Sequence, residues 1–476
     1  MADFPRELYF ATIPDLNARI QSKDVTAEQL TRGFAERLEK LAPRFNALAL
    51  PLTERALRHA KEVDKEIKRG RLRGPLQGIP YGAKDLLSYA GQPTTWGARP
   101  YAGQVFGYNA TVIDKLAGVG GVLTAKLAMV ELAGGGGYRF PAASLTGPGL
   151  NPWDTTHWSG GSSSGSAAAV AAGLVPYSLG SETSGSILTP AAYCGVTGLR
   201  PTYGLVSRYG AMALSWTLDK IGPFAHTAED CALVLQAIAG KDGKDPGSAG
   251  KSFYYTPQYA RSPKDIRVGY APVDFAEWAD PEARPAFAAA LAVLKDTGVQ
   301  LVETRLPDLP YGPVISTIIS SEGSSIFEPL IASGKVDELA DRKQIAGLKA
   351  GLEIPAKDYL KAMRIRRLVQ EQVGKLFGQV DVLLAPSRPG PATKIDQPLD
   401  RNTRSGPPPK DLGMSAMIPA GNLAGLPALS VPCGFAGNLP VAFQLVGVPF
   451  SENTLVAVGK EYQSRTDWHK RHPAGL

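Results

Sequence analysis

At 476 residues, 44% of them hydrophobic, the chain is long enough for one large α/β domain or two or three average ones, and its charges leave a formal net of +7. Its three cysteines, Cys194, Cys231 and Cys433, lie far apart without CxxC spacing, and the five histidines form no HExxH pair, so neither a disulfide framework nor a metal site is expected. No 18-residue apolar span occurs, and the start MADFPRELYFATIPDL has early charges and prolines in place of a basic stretch and a long apolar run, which predicts a cytoplasmic chain without leader or membrane span.

Residues 15–70 read as a helical lead-in, with Thr26 and Gln29 at capping-box spacing and an end near Gly70. From Gly78 short apolar runs alternate with helical ones: VIDKLAGVG then GVLTAKLA, SAAAVAAG then LVPYSLG, AEDCALVLQAIAG, and later IRVGY, PEARPAFAAALAVLKDTG and VQLVE. That alternation predicts a largely parallel sheet covered by helices. The helix after Asp280 is punctuated by Pro281 at its first position and Gly298 at its C-terminal cap, and forms a βαβ unit with its neighbouring strands. Two polar stretches, 241–252 and 400–413, read as surface loops of one domain, and 310–375 as a helical insert. The basic clusters, 61–73 and the trio Arg364, Arg366 and Arg367, read as solvated helix faces, so the net charge calls for no nucleic-acid partner.

Three segments carry chemistry. GIPYGAKDLL (78–87) sets Lys84 between apolar runs, an unusual place for an exposed lysine. SGGSSSGSAAAVAAG (159–173) is a serine and glycine loop pinned to a helix start, and LGSETSGSILTPAAYCG (179–195) is a second loop whose Ser186 stands where another helix begins. Pro190 fits that helix only in its first turn. A serine hydroxyl needs a base to take its proton. A buried lysine can be that base, because burial disfavours its ammonium form. Backbone N–H groups at a helix start can hold the negative oxygen of a tetrahedral intermediate.

These segments resemble the amidase signature family, whose pattern is a KD lysine, a GGSS loop with a cis peptide before its first serine, and a G-[ST]-[DE]-x-x-GS loop ending in the nucleophile. The family's two serines stand 24 residues apart, as Ser162 and Ser186 do. NPWDTTHWSGG, VDVLLAPS, GNLAGLPALSVPCG and LPVAFQLVG read like family segments in family order, so nearly the whole chain is covered. The resemblance implies Ser186 as nucleophile, Ser162 as proton relay behind a cis bond at Gly161, and Lys84 as base. It implies the backbone N–H groups of Thr183, Ser184, Gly185 and Ser186 as oxyanion donors. Ser163 is expected to make a supporting hydrogen bond, Asp85 to be structural, and Thr183→Ala to be mild because backbone donors survive it. The implied fold is α/β, a single α/β/α sandwich around a mixed, mostly parallel β-sheet over 1–476. Its parts are a lead-in (1–75), a catalytic core (76–235), a variable substrate-shaping part containing the insert (236–420) and a closing core segment (421–476). No cofactor is implied.

Motifs pointing elsewhere lack their context. GSSSG (161–165) matches a nucleophile elbow, but a polar loop precedes it where a strand is needed. GSAGKS has Asp245 where a P-loop needs its first glycine, and GVGGVL lacks the third glycine of a dinucleotide loop. Departures from the family pattern concern the substrate. Leu188 stands where glutamine-using members carry arginine, and an unusual run, Gly134 to Gly137, precedes the serine loop. Met129, Gly135, Gly136 and Leu188 are the candidate pocket residues. The resulting expectation is an amidase for neutral, aryl or apolar linear amides, with esters and carbamates open to the same steps. It would act as monomer or homodimer on a small-molecule amide and water, with no nucleic acid and no membrane. The alternative is the glutamine amidase subunit of a tRNA-dependent amidotransferase complex, against which Leu188 is set.

Overall fold

Thr12 and Thr26 each accept the backbone N–H of the residue three positions on, and so open α1 (Ile13–Gln21) and α2 (Ala27–Leu41), the second with the full capping box through Gln29. This computed structural model describes residues 4–399 and 413–476, so the polar stretch 400–413 lies, except for Gly413, outside the described residues. The lead-in is not all helix, because LALP forms an edge strand, β1 (Leu48–Pro51), before α3 (Thr53–Lys68). Four residues between two helices are too short a run for periodicity to mark as a strand.

Beyond it the chain alternates as predicted. The first half holds β2 (Pro80–Lys84), α4 (Thr111–Gly118), β3 (Val122–Leu127), a small antiparallel pair β4 (Leu150–Asn151) and β5 (Asp154–Trp158), α5 (Ser164–Ala171) and β6 (Tyr177–Glu182). It continues with α6 (Leu188–Cys194), β7 (Thr197–Arg200), β8 (Lys220–Ala225) and α7 (Ala228–Ile238). The second half opens with β9 (Arg267–Tyr270), α8 (Arg284–Asp296) and β10 (Gln300–Glu303), followed by the insert helices α9 (Tyr311–Ile326), α10 (Glu328–Ala332), α11 (Arg342–Gly351) and α12 (Ala356–Leu376). It closes with β11 (Val382–Pro386), α13 (Met417–Ala424), β12 (Ala428–Ala436), β13 (Leu439–Gly447) and α14 (Glu452–Ser464). Pro281 lies ahead of α8, and Pro285 takes the first-turn position that a missing N–H allows.

Eleven strands join in one sheet, in the order β1-β3-β2-β6-β8-β7-β12-β13-β11-β9-β10. The sheet is mixed, as predicted, but antiparallel pairings outnumber parallel ones, the parallel ones falling in two patches: β3 with β2 and β2 with β6, then β11 with β9 and β9 with β10. From β6 to β11 every ladder is antiparallel. Among these ladders only the β12–β13 pair is closed by a tight turn, at Gly437 (φ +60°); the other antiparallel ladders join strands that are far apart in the chain.

Helices cover both faces. β6 turns Tyr177 and Leu179 into the large core that holds residues of α4 and α7, and turns Ser178 toward α5, where its Oγ donates to Ser166 O at 2.9 Å. α5 is buried on every side, which accounts for its serine, glycine and alanine run: a Cβ on Gly165 would lie 2.4 Å from Ala47 O and 2.6 Å from Ala128 N. No described helix is long and apolar enough to cross a membrane.

The insert is tied to this body by buried polar groups. Arg366 is no part of a solvated face: it donates Nε to Leu423 O at 2.9 Å and Nη2 to Thr217 O at 2.8 Å, anchoring α12 on α13 and on the approach to β8. Glu131 accepts the N–H groups of Ala340 and Asp341, and Asp341 accepts those of Arg139 and Phe140. Between these bonds the glycine run abuts α11, where a Cβ on Gly347 would fall 1.8 Å from Gly136 O. Gly347→Ala is therefore expected to cost about 2 kcal/mol or more by overpacking. Gly374→Ala on α12, with nothing within 4 Å of the new methyl, is expected to add about 0.5–1 kcal/mol. Urea denaturation of the two variants checks both, and equal midpoints would dispose of the seam.

Candidate active site

Lys84 ends β2 with its side chain wholly buried. Its Nζ lies 2.7 Å from Ser162 Oγ, 3.0 Å from Ser163 Oγ and 3.0 Å from Ser181 Oγ. Burial drives its pKa down to about 7, with the Asp219 and Glu182 carboxylates pulling the other way. Asp85 does not neutralise it. That carboxylate forms an ion pair with the buried Lys126 at 2.8 Å and accepts the N–H of Thr95 at 3.0 Å, so the KD pair is split between two partners.

The first serine loop reaches the lysine by close backbone approach. The Gly161–Ser162 peptide is cis. A Cβ on Gly160 (φ +86°) would lie 2.5 Å from Pro190 Cα, and one on Gly161 would lie 2.6 Å from Trp158 and 2.8 Å from Val130. Ser162 O accepts the Val130 N–H at 3.0 Å. Ser163 Oγ donates to Ser181 O at 3.2 Å and accepts from Ser181 N at 3.3 Å, which joins this loop to the second one.

Ser186 stands two residues before α6, with Pro190 in that helix's first turn. It is 8% exposed, against 1% for Ser162, and its hydroxyl bonds to none of the described residues. Glu182 accepts the N–H groups of Ile187 and Leu188 at 2.9 and 3.0 Å. The N–H groups of Thr183, Ser184, Gly185 and Ser186 have no acceptor among the described residues. Backbone donors left free in this way beside a hydroxyl are groups that can stabilise a developing oxyanion.

A buried charge network holds the second loop. Burial alone would raise the Glu182 pKa, but Arg200 at 2.7 Å, Lys220 and the Asn422 amide outweigh it and hold the carboxyl at about 2. Lys220 donates to Asn422 Oδ1. Thr183 Oγ1 donates to Asp219 at 2.6 Å, and Asp219 also accepts the N–H groups of Leu214 and Ser215 at 2.8 and 2.9 Å. Sequence reading misses Ser181, Arg200, Asp219, Lys220 and Asn422. The available signal is the one that marks Lys84, a charge within an apolar strand, as in GLRPT and DKIGPF.

A cavity of about 210 Å³ opens beside the second loop, with Ser181, Thr183, Leu86, Met212 and Lys220 in its wall. Its rim includes Lys244 and Asp245, so the polar stretch 241–252 is a loop that borders the site, held by the Arg208–Asp245 ion pair at 2.8 Å. None of Met129, Gly135, Gly136 and Leu188 lines this cavity. Met129 is core, Gly135 and Gly136 lie at the insert seam, and Leu188 packs in a buried apolar cluster with Leu218, Met417 and Ala420.

The amidase family model matches residues 29–456. The glutamyl-tRNA(Gln) amidotransferase subunit of Carboxydothermus hydrogenoformans is 37% identical over 98% of this chain and 99% of its own. Among solved structures, the peptide amidase of Stenotrophomonas maltophilia superposes with a TM-score of 0.83 at 31% identity, covering 96% of this chain and 97% of that one. The glutamyl-tRNA(Gln) amidotransferase subunit of Thermotoga maritima superposes with a TM-score of 0.79 at 28% identity, covering 98% and 97%. The chain belongs to the amidase family and is a hydrolase of carbon–nitrogen bonds in non-peptide amides.

These relatives overturn two expectations. A free-standing hydrolase of neutral or aryl amides, free of nucleic acid and at most a homodimer, is not what near full-length relatives named as one subunit of a glutamyl-tRNA(Gln) amidotransferase support. The expectation leaned on Leu188 as pocket wall, whereas its side chain is fully buried in an apolar cluster with residues of α13 and does not line the cavity.

Glu182→Gln would leave Arg200 buried without its counter-charge, and is expected to cost about 3–5 kcal/mol of stability. Thr183→Ala withdraws one of three donors from half-buried Asp219 and is expected to cost about 1–2 kcal/mol of stability. Denaturant titration of both variants measures the difference, and equal losses would discount the charge network.

Proposed function

We propose, on the premise of that family membership, that the chain is the glutamine-hydrolysing subunit of a tRNA-dependent amidotransferase complex. It cleaves the side-chain amide of glutamine, and a partner uses the ammonia on a tRNA-bound glutamyl group. The near full-length likeness to amidotransferase subunits is the observation that carries this reading. We set the chain in the cytoplasm, with its tRNA, where the buried thiols of Cys194, Cys231 and Cys433 remain free.

In the proposed mechanism neutral Lys84 takes the Ser162 proton while Ser162 takes that of Ser186, whose Oγ attacks the amide carbon. The N–H groups of Thr183, Ser184, Gly185 and Ser186 receive the developing oxyanion. Glu182 supports this by claiming the next two N–H groups, which fixes where the helix begins. The proton then returns through Ser162 to the departing nitrogen. Ammonia leaves neutral, Lys84 regains its neutral state, and water repeats the sequence on the acyl-enzyme to release glutamate.

Because only the neutral amine accepts a proton, glutamine hydrolysis is expected to rise as pH passes upward through about 7, falling roughly tenfold per unit on the acid side. Ser186→Ala is expected to lower it by about 10⁴ or more. Ammonia release is measured with the chain alone and with its partner and glutamyl-tRNA present. Glutamine left intact in both settings, or full activity at pH 5, would sink the reading.

A further inference from the structure

Building on Lys84 as the base, we infer that Ser181 is a positioning residue that turns the Lys84 amine so that its lone pair faces Ser162. The argument is one of donors and acceptors. A neutral amine has two N–H groups and one lone pair, and three hydroxyls surround this one. Ser163 has committed its hydrogen to Ser181 O at 3.2 Å, so toward Nζ its oxygen can only accept. Ser162, at 2.7 Å, can hand over a proton only if the lone pair faces it. One N–H remains, and Ser181 Oγ at 3.0 Å is the one oxygen left to receive it.

Two further observations fit. Ser181 is 8% exposed and lines the cavity, whereas Ser163 is fully buried and neither it nor Ser162 lines it. Ser181 can therefore accept from the amine and direct its own hydrogen into the cavity, with no competing demand on the Lys84 lone pair. The charges that act on Lys84 are Asp219, before β8, and Glu182, at the end of β6. Each has its own partners, Thr183 with two backbone N–H groups and Arg200 with Asn422, so the hydroxyls alone orient the amine. Once Lys84 holds the relayed proton, all three oxygens accept, and the same cage holds the ammonium.

The test is the rate at which a fluorophosphonate labels Ser186 in the full chain, followed by intact mass across the neutral pH range. This readout does not depend on the natural substrate. Ser181→Ala is expected to lower the high-pH plateau about tenfold or more. It is also expected to move the midpoint of the acid limb to lower pH, because the ammonium loses one of three acceptors and the neutral amine loses less. Ser181→Thr keeps the hydroxyl and is expected to restore both. Ser181→Cys, which keeps the volume but accepts weakly, is expected to behave like Ser181→Ala and serves where the alanine variant does not fold. A lower plateau with an unmoved midpoint, or unchanged kinetics, would overturn the inference in favour of packing. Lys84→Met labelled as fast as wild type would instead overturn the reading of Lys84 as base.

Discussion

An ammonium group moved from water into a protein interior loses several kcal/mol of solvation, and Lys84 meets only neutral hydroxyls at its tip. The group resolves the conflict by giving up its proton near pH 7. The sign of the linkage follows. The folded pKa lies below the unfolded value of about 10.4, so between those two the unfolded chain holds the extra proton, and this group's contribution to stability improves as pH rises through that window. The windows of folding and of chemistry abut without overlapping: this group's contribution to stability falls as pH drops from about 10.4 to about 7, and only below about 7 does the amine lose its capacity to accept a proton.

Keeping the amine able to be neutral requires that nearby carboxylates be engaged elsewhere, and each is. Asp85 belongs to Lys126, Glu182 to Arg200 and Asn422, and Asp219 to Thr183 and two backbone N–H groups. The same assignments shape the second serine loop, since the carboxylate that Arg200 holds also accepts the N–H groups at the start of α6, while the four preceding N–H groups have no acceptor among the described residues. One buried network thus bears on both parts of the proposed mechanism: its carboxylates act on Lys84 only from a distance, against the effect of burial, and Glu182 fixes where the N–H groups proposed to receive the oxyanion end. The small residues of α5 complete the arrangement, because only a helix without bulk lets the serine loop settle against the end of β2.

The parts of the site legible from sequence are those written in contiguous residues. Lys84 announces itself by its apolar flanks, the two loops by their glycines and serines, and the capping box of α2 by the spacing of Thr26 and Gln29. The insert helices follow from their composition. What stayed hidden depends on strand order. Glu182 faces Lys220 only because β8 runs antiparallel beside β6, and it meets Arg200 and Asn422 only because the end of β7 and the approach to β12 lie at the same end of the strands. No local pattern encodes such pairings, and the alternation of strands and helices that predicts a parallel sheet carries no signal for the long-range antiparallel pairings of its middle. Arg366 reads as solvated for a similar reason: α13, which buries it, lies far along the chain.

Substrate identity was hidden more deeply. A catalytic segment faces inward on most of its surface, so the residue two places after the nucleophile can be core, as Leu188 is, and then reports on packing alone. The cavity beside the second loop, which Lys84, Ser162 and Ser186 do not line, is walled by the stretch around Met212, the rim loop at Lys244 and Asp245, and the strand bearing Lys220. These elements touch the lysine and serine machinery at few points, chiefly Ser181 and Thr183, and loops of this kind can change without disturbing the sheet that holds the base. A fold that separates its chemistry from its walls in this way can keep one reaction while exchanging substrates and partners, which is why motif and fold identify the reaction here while the substrate has to be argued from full-length likeness.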